Sequence, residues 1–228
     1  MANSQRAGYG CRQTMTVGNT PATGGQSEFL VQGGAAPGAT VAIFKGSPVA
    51  MQTAAAPGQL GFIQDASALA MTDTIQGGVA WSHARANTNK VLGIFNGATF
   101  VDATGKPSWT NGLIAGQTSS VDYNTASNNI TAFVNTNPAQ EYTVRADAAL
   151  TNASFNTLTN TGFNLNDAGA GVSGMSDSTL DLSGVATTGV ANYMWKIVRS
   201  ANVEDQKDFT VPGADVVVSY SNNAAAYK

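Results

Sequence analysis

One histidine, His83, and one cysteine, Cys11, stand in a chain of 228 residues. A lone cysteine excludes an internal disulfide and any cysteine framework, so folding carries no redox requirement. One histidine beside one cysteine leaves too few ligands for a His- or Cys-based zinc site. Charge is scarce as well: 11% of the residues are Asp, Glu, Lys or Arg, against about 25% in ordinary soluble proteins. The 11 basic residues are scattered and the net charge is −3. No basic run is there to neutralise phosphates, so nucleic acid is not an expected partner. Arg6 with Arg12 is the local exception, with little acid nearby. No stretch approaches the ~18 apolar residues of a membrane helix. The opening Met1-Ala2-Asn3-Ser4-Gln5-Arg6 lacks the charged start and apolar core of a secretory leader. The expectation is synthesis in a cytoplasm and no membrane address.

Ala, Gly, Thr, Asn and Ser fill the space that charge leaves. With 43% hydrophobic residues, a packed core is available beneath a polar, nearly uncharged surface. Contacts of such a surface rest on backbone groups and small side chains. Residues 1–25 read as an extended N-terminal arm: Gly8-Tyr9-Gly10-Cys11-Arg12-Gln13 and the Gly/Pro-broken stretch from Gly18 to Gly25 show no helical period. The remainder, 26–228, reads as one β-rich body, with a subdivision near residue 135 as an alternative. Short β segments recur between turn signals. They include Glu28-Phe29-Leu30-Val31, Thr40-Val41-Ala42-Ile43-Phe44, Val91-Leu92-Gly93-Ile94-Phe95, Ala98-Thr99-Phe100-Val101, Ile130-Thr131-Ala132-Phe133-Val134, Glu141-Tyr142-Thr143-Val144-Arg145-Ala146, Met194-Trp195-Lys196-Ile197-Val198 and Asp215-Val216-Val217-Val218-Ser219-Tyr220. With 25 Gly and 7 Pro, this spacing suits a mainly β fold, a sandwich or barrel-like body with long surface loops. Short helical turns are expected at 150–158 and 65–70. The Gly/Ser/Asn-rich stretch 160–189 reads as a long loop that packs on a neighbour.

The side chains that carry chemistry are few. His83 has no base or nucleophile partner at a recognisable spacing, and Ser82 beside it points to the opposite face of a strand. Asp65, Asp73, Asp102, Asp122, Glu141 and Asp147 supply carboxylates, but they sit at turns and strand edges, where Asp caps and turns the chain. The oxygen-rich runs Asn164-Leu165-Asn166-Asp167 and Asp177-Ser178-Thr179-Leu180-Asp181 lack the closing Glu of an EF-hand. Gly169-Ala170-Gly171-Val172-Ser173-Gly174 matches a dinucleotide fingerprint in letters only, with no strand before it and no helix after. No cofactor, metal or catalytic residue is expected, and the chain does not read as an enzyme. Of Trp81, Trp109 and Trp195, the last belongs in the core. Trp109, in a loop after Pro107-Ser108, is the best candidate for a contact.

Several stretches, taken in order, carry a resemblance. They are Ile43-Phe44-Lys45-Gly46-Ser47-Pro48-Val49, then the run from Val91 through Phe95-Asn96-Gly97-Ala98-Thr99-Phe100-Val101-Asp102, then Lys106-Pro107-Ser108-Trp109. Asn137-Pro138-Ala139-Gln140-Glu141-Tyr142-Thr143-Val144 and Ser173-Gly174-Met175-Ser176-Asp177-Ser178-Thr179-Leu180-Asp181 follow, ahead of Trp195-Lys196-Ile197-Val198. In this order the chain resembles the capsid decoration, or cement, proteins of tailed phages. Ser47 replaces an acidic residue of that pattern and Asn137 replaces an aspartate. The resemblance implies a structural virion protein on the outer capsid surface that binds across neighbouring major capsid proteins. It implies copies of itself as partners, in a trimer or dimer. The residues expected to meet the shell are Arg6, Tyr9, Cys11, Arg12 and Trp109, with the arm adding a strand to a neighbour's sheet edge. On that expectation, removing 1–25 leaves the body folded. The alternative reading is a tail, fibre or host-surface carbohydrate-binding virion protein.

Overall fold

The structure is a computed structural model that describes residues 8–16, 20–22, 25–31, 43–51, 63–65, 91–102, 104–113, 130–150, 162–166, 174–182, 195–201 and 208–220. Its named strands pair antiparallel throughout, and no α-helix occurs among the described residues. The mainly β expectation is met.

The larger sheet has seven strands, and alternation in its central pair sets its two faces. β11 (Gln140–Arg145) pairs with β15 (Asp215–Tyr220), aligning Tyr142 with Val218 and Val144 with Val216. Those four side chains turn inward, joined by Trp195 and Ile197 of β14 (Trp195–Ser200). Tyr142 meets Trp195 edge-on at 5.5 Å between ring centroids, and Trp195 stacks on Tyr220 at 4.7 Å. Each such pair adds about 0.5–1.5 kcal/mol beyond burial. The opposite face of the same strands is polar. Arg145 aligns with Asp215 and lies 3.5 Å from it, and Glu141 accepts a 2.8 Å bond from Arg199. β12 (Gly162–Asn166) and β13 (Thr179–Asp181) extend the sheet beyond β14, placing Leu165 and Leu180 in the core.

The second sheet runs in the order β3 (Ser27–Val31), β10 (Ile130–Asn135), β7 (Val91–Val101), β5 (Pro48–Met51) and β6 (Ile63–Asp65). Its first and last strands, β3 and β6, approach each other, so the sheet curls into a half-barrel. Val31, Val49, Ile63, Phe95, Ala98, Ala132 and Val134 fill its inside. β7 is long enough to serve two partners along one edge. β5 pairs with its first half, and β8 (Pro107–Thr110) pairs with residues 98–101 of its second half. A two-stranded unit, β4 (Ile43–Phe44) with β9 (Gly112–Leu113), adds Ile43 and Leu113 to that interior.

The turn between β4 and β5 ties the two sheets together through backbone bonds. The Lys45 N–H is shared between the carbonyls of Asn111 (2.7 Å) and Gly174 (3.1 Å), and its own carbonyl accepts from Ser176. Gly46 donates to Phe95 of β7 and accepts from Cys11, each at 2.9 Å. At φ +93° Gly46 occupies the left-handed region, and a Cβ there would stand 3.0 Å from the Tyr9 carbonyl oxygen, so a side chain is doubly disfavoured. Beside this turn Ala50, Val91 and Ile94 leave the half-barrel's outer face and join the core of the larger sheet.

Several elements differ from the sequence reading. Part of the arm over 1–25 is a strand of the body: β1 (Arg12–Thr16) pairs with β11, and β2 (Thr20–Pro21) follows at the sheet edge. The two segments at 91–95 and 98–101 are one strand, joined across a bulge at Asn96, where Phe133 aligns with Gly97 (φ +137°) and Val134 with Phe95. The stretch 160–189 holds β12 and β13, whose polar letters conceal one inward leucine each. Of the two expected helical turns, 150–158 lies outside the described residues apart from the buried, non-helical Leu150. At 65–70, Asp65 ends β6 and the rest lies outside them.

Candidate interaction surface

Among the described residues, no three His, Cys, Asp or Glu side chains come together as a metal would need. No helix among them is long and apolar enough to cross a membrane. The carboxylates of Asp102, Asp147 and Glu141 are held by the fold. Asp102 accepts from the N–H of Thr104 and of Lys106, both at 2.9 Å, and from the Thr104 hydroxyl at 2.7 Å, closing the turn from β7 to β8. The Thr104 hydroxyl and those amides hold its carboxyl below the ordinary carboxylate range. Asp147 accepts from the Leu182 N–H at 3.0 Å, and burial pushes its carboxyl up. Glu141 is occupied by Arg199. His83, Asp73, Asp122 and Trp81 lie outside the described residues, as does the glycine-rich match at 169–173.

Of the residues expected to make contacts, Arg6 lies outside the described residues. Cys11 is a core residue, 5% exposed, and burial raises its thiol pKa far above the ordinary value. It faces Tyr142 because its neighbours Arg12 and Gln13 pair with Thr143 and Tyr142 of β11. As a contact to an external shell, Cys11 is therefore corrected: its side chain is spent inside its own chain. Tyr9 is also held inward. Its ring lies 4.5 Å from the Arg12 guanidinium and 5.3 Å from that of Arg145, a pair of cation–π contacts. Burial, then the neighbouring Asp215, raises its phenol well above the usual tyrosine range. Arg12 itself is exposed at the sheet surface.

Trp195 is fully buried, as expected, whereas Trp109 is 50% exposed. Pairing explains the difference. Leu30 of β3 aligns with Thr131 of β10, Thr131 with Thr99 of β7, and Thr99 with Trp109 of β8. Directly aligned residues share a face, so these four form one row across four strands. At roughly 4.8 Å per strand spacing the row spans about 14 Å. It lies on the outer side of the half-barrel, opposite the packed Ala98, Ala132 and Val134. Leu30 is 42% exposed. A second row, Glu28, Phe133 and Gly97, runs beside it.

Gly97 makes the Trp109 position possible. A Cβ at residue 97 would land inside the indole ring. Without one, Trp109 leans across the glycine onto Phe133, with centroids 5.3 Å apart and planes tilted by 31°. Its Nε1–H donates to Asn111 Oδ1 at 3.3 Å. The indole is therefore fixed at its edge and beneath one face. The product is a surface platform of Trp109, Phe133, Leu30 and two threonines, with Glu28 beside it. Sequence reasoning picked out Trp109 and missed Leu30, Phe133 and Gly97. The alternation of Thr131 and Phe133 against Ala132 and Val134 was the available signal for the shared face.

No family model matches the chain, and no curated protein or solved structure matches it either.

Proposed function

We propose that this chain is a structural virion protein, a decoration protein that stabilises a phage capsid by binding across neighbouring major capsid proteins, with copies of itself beside it. The observation that carries the reading is the Trp109 platform. An exposed indole held by Phe133, Gly97 and Asn111 loses little freedom on binding, and immobilised aromatics of this kind dominate protein contact energies. The platform carries no cation, which suits a protein surface and disfavours phosphate backbones. The sparse charge of the whole chain also suits close packing beside identical neighbours, where like charges would repel. A protein that binds only the assembled shell raises the shell's stability by mass action.

Co-sedimentation with purified capsids lacking the protein tests this. Wild type is expected to pellet with the shells at near-stoichiometric copy number. Trp109→Ala is expected to bind about 30-fold more weakly, the ~2 kcal/mol of a hot-spot residue, with an unchanged circular dichroism spectrum. Equal binding by the variant would remove the platform from the contact, and no binding by wild type would remove the capsid reading.

One observation favours a second reading, a tail, fibre or host-surface carbohydrate-binding virion protein. Asn111 stands beside the indole, so Trp109 joins a stacking face to a polar amide. Glycan-array binding that is abolished by Trp109→Ala, without capsid binding, would establish it.

A further inference from the structure

Where the two sheets meet, a cleft of about 250 Å³ opens between β1 and the Lys45 turn. Residues far apart in the chain line it: Arg12 from β1, Lys45 from the turn, Asn96 from β7 and Asn135 from β10. In a chain of net charge −3, the lining includes two cations and no carboxylate. The backbone of Lys45 is fixed by three hydrogen bonds. The ion pairs among the described residues are Arg145 with Asp215 and Arg199 with Glu141, and neither involves Lys45.

Asn135 supplies the independent sign of a missing partner. It is 2% exposed, and its Oδ1 accepts the Asn137 N–H at 3.1 Å. That bond fixes which end of the amide is which. The Nδ2 end is buried and has no acceptor among the described residues. An unsatisfied buried donor is unfavourable, and an acceptor that reached it from the cleft would satisfy it.

Size and charge narrow the acceptor. The volume falls below the ~300 Å³ at which small-molecule pockets begin, yet holds several times the ~30 Å³ of a water. It suits one side chain rather than a nucleotide or cofactor. An ammonium and an amide NH₂ match the two oxygens of a carboxylate, and charge-assisted bonds are roughly twice as strong as neutral ones. The Arg12 guanidinium, its face on the Tyr9 ring, adds a favourable field for an anion. We propose that the cleft binds the carboxylate of an aspartate or glutamate side chain presented by a partner protein. This deepens the docking reading by naming a second contact. It rests on the partner being a protein, not on that protein being a capsid.

Nuclear magnetic resonance titration of the full chain tests it, following the Asn135 side-chain amide. The probes are N-acetyl-glutamate N-methylamide, its glutamine counterpart, acetate and inorganic phosphate. The glutamate compound is expected to shift that amide with millimolar affinity, and the glutamine compound to bind at least tenfold more weakly. Lys45→Gln, which leaves the backbone bonds of the turn in place, is expected to weaken the glutamate compound about fivefold or more. Asn135→Asp keeps the acceptor for the Asn137 N–H and, read at the backbone amides of Lys45 and Gly46, should abolish binding by repulsion. Equal binding of the glutamine compound, or an unmoved Lys45→Gln affinity, overturns the proposal. Acetate or phosphate binding as tightly as the glutamate compound also overturns it, by assigning the cleft to a free anion. No capsid enters this titration, so its failure and a failure of the sedimentation test are separate results.

Discussion

Replacing Gly97 by alanine tests whether that glycine exists to seat Trp109. Two costs are expected. Residue 97 sits at φ +137°, a conformation that costs a side chain of order 1–3 kcal/mol. The new Cβ would also occupy the space of the indole, so Trp109 must leave Phe133, forfeiting about 0.5–1.5 kcal/mol of ring contact. The total is about 2–4 kcal/mol. The assay is urea unfolding of four proteins: wild type, Gly97→Ala, Trp109→Ala and the double variant. In the Trp109→Ala background the steric conflict is gone and only the backbone cost remains. The cycle should therefore show a coupling of about 1 kcal/mol or more. If Gly97→Ala costs the same in both backgrounds, the glycine serves the backbone alone and the account of the platform is wrong.

Three further outcomes follow from buried groups. Cys11 is buried against Tyr142 with its thiol pKa raised by desolvation, so its reaction with a disulfide reagent at pH 8 should be about 100-fold slower in the native protein than in urea, because the thiolate is the reacting form. Fast native labelling would mean that β1 leaves the sheet. Deleting residues 1–16 should lower thermal stability and not leave the body intact, because β1 covers the edge of β11 and Cys11 belongs to the core; an unchanged Tm would refute this. Asp147 has a folded pKa above its unfolded value, chiefly through burial. Its contribution is thus fully present below the unfolded pKa and is lost as pH rises through the folded one. Asp147→Asn keeps the acceptor for Leu182 and should raise Tm at pH 7, with the gain vanishing near about pH 3.5. A gain independent of pH would refute the burial argument.

Local pattern decided much of this protein. Alternation within Glu141-Tyr142-Thr143-Val144-Arg145-Ala146 defines an apolar and a polar face before any partner is known, since successive strand residues point to opposite sides. The same pattern made Trp195 a core residue, and a single Cys ruled out a disulfide framework. What stayed hidden depends on pairing between distant segments. Residues 12–16 look like a loose arm because their polar letters acquire a partner only at 140–143, where Gln13 Nε2 meets Gln140 Oε1 at 3.0 Å. Leu165 and Leu180 lie in a stretch whose composition resembles a loop, and backbone pairing to β14 and to each other places them inside. The platform draws on residues 28–30, 97–99, 109 and 131–133, and the cleft on residues from 9 to 175. Strand register fixes which of these meet, and register is a property of the assembled sheet. The sequence by itself determined which residues could face the core; only the tertiary structure decided which of the others stand side by side.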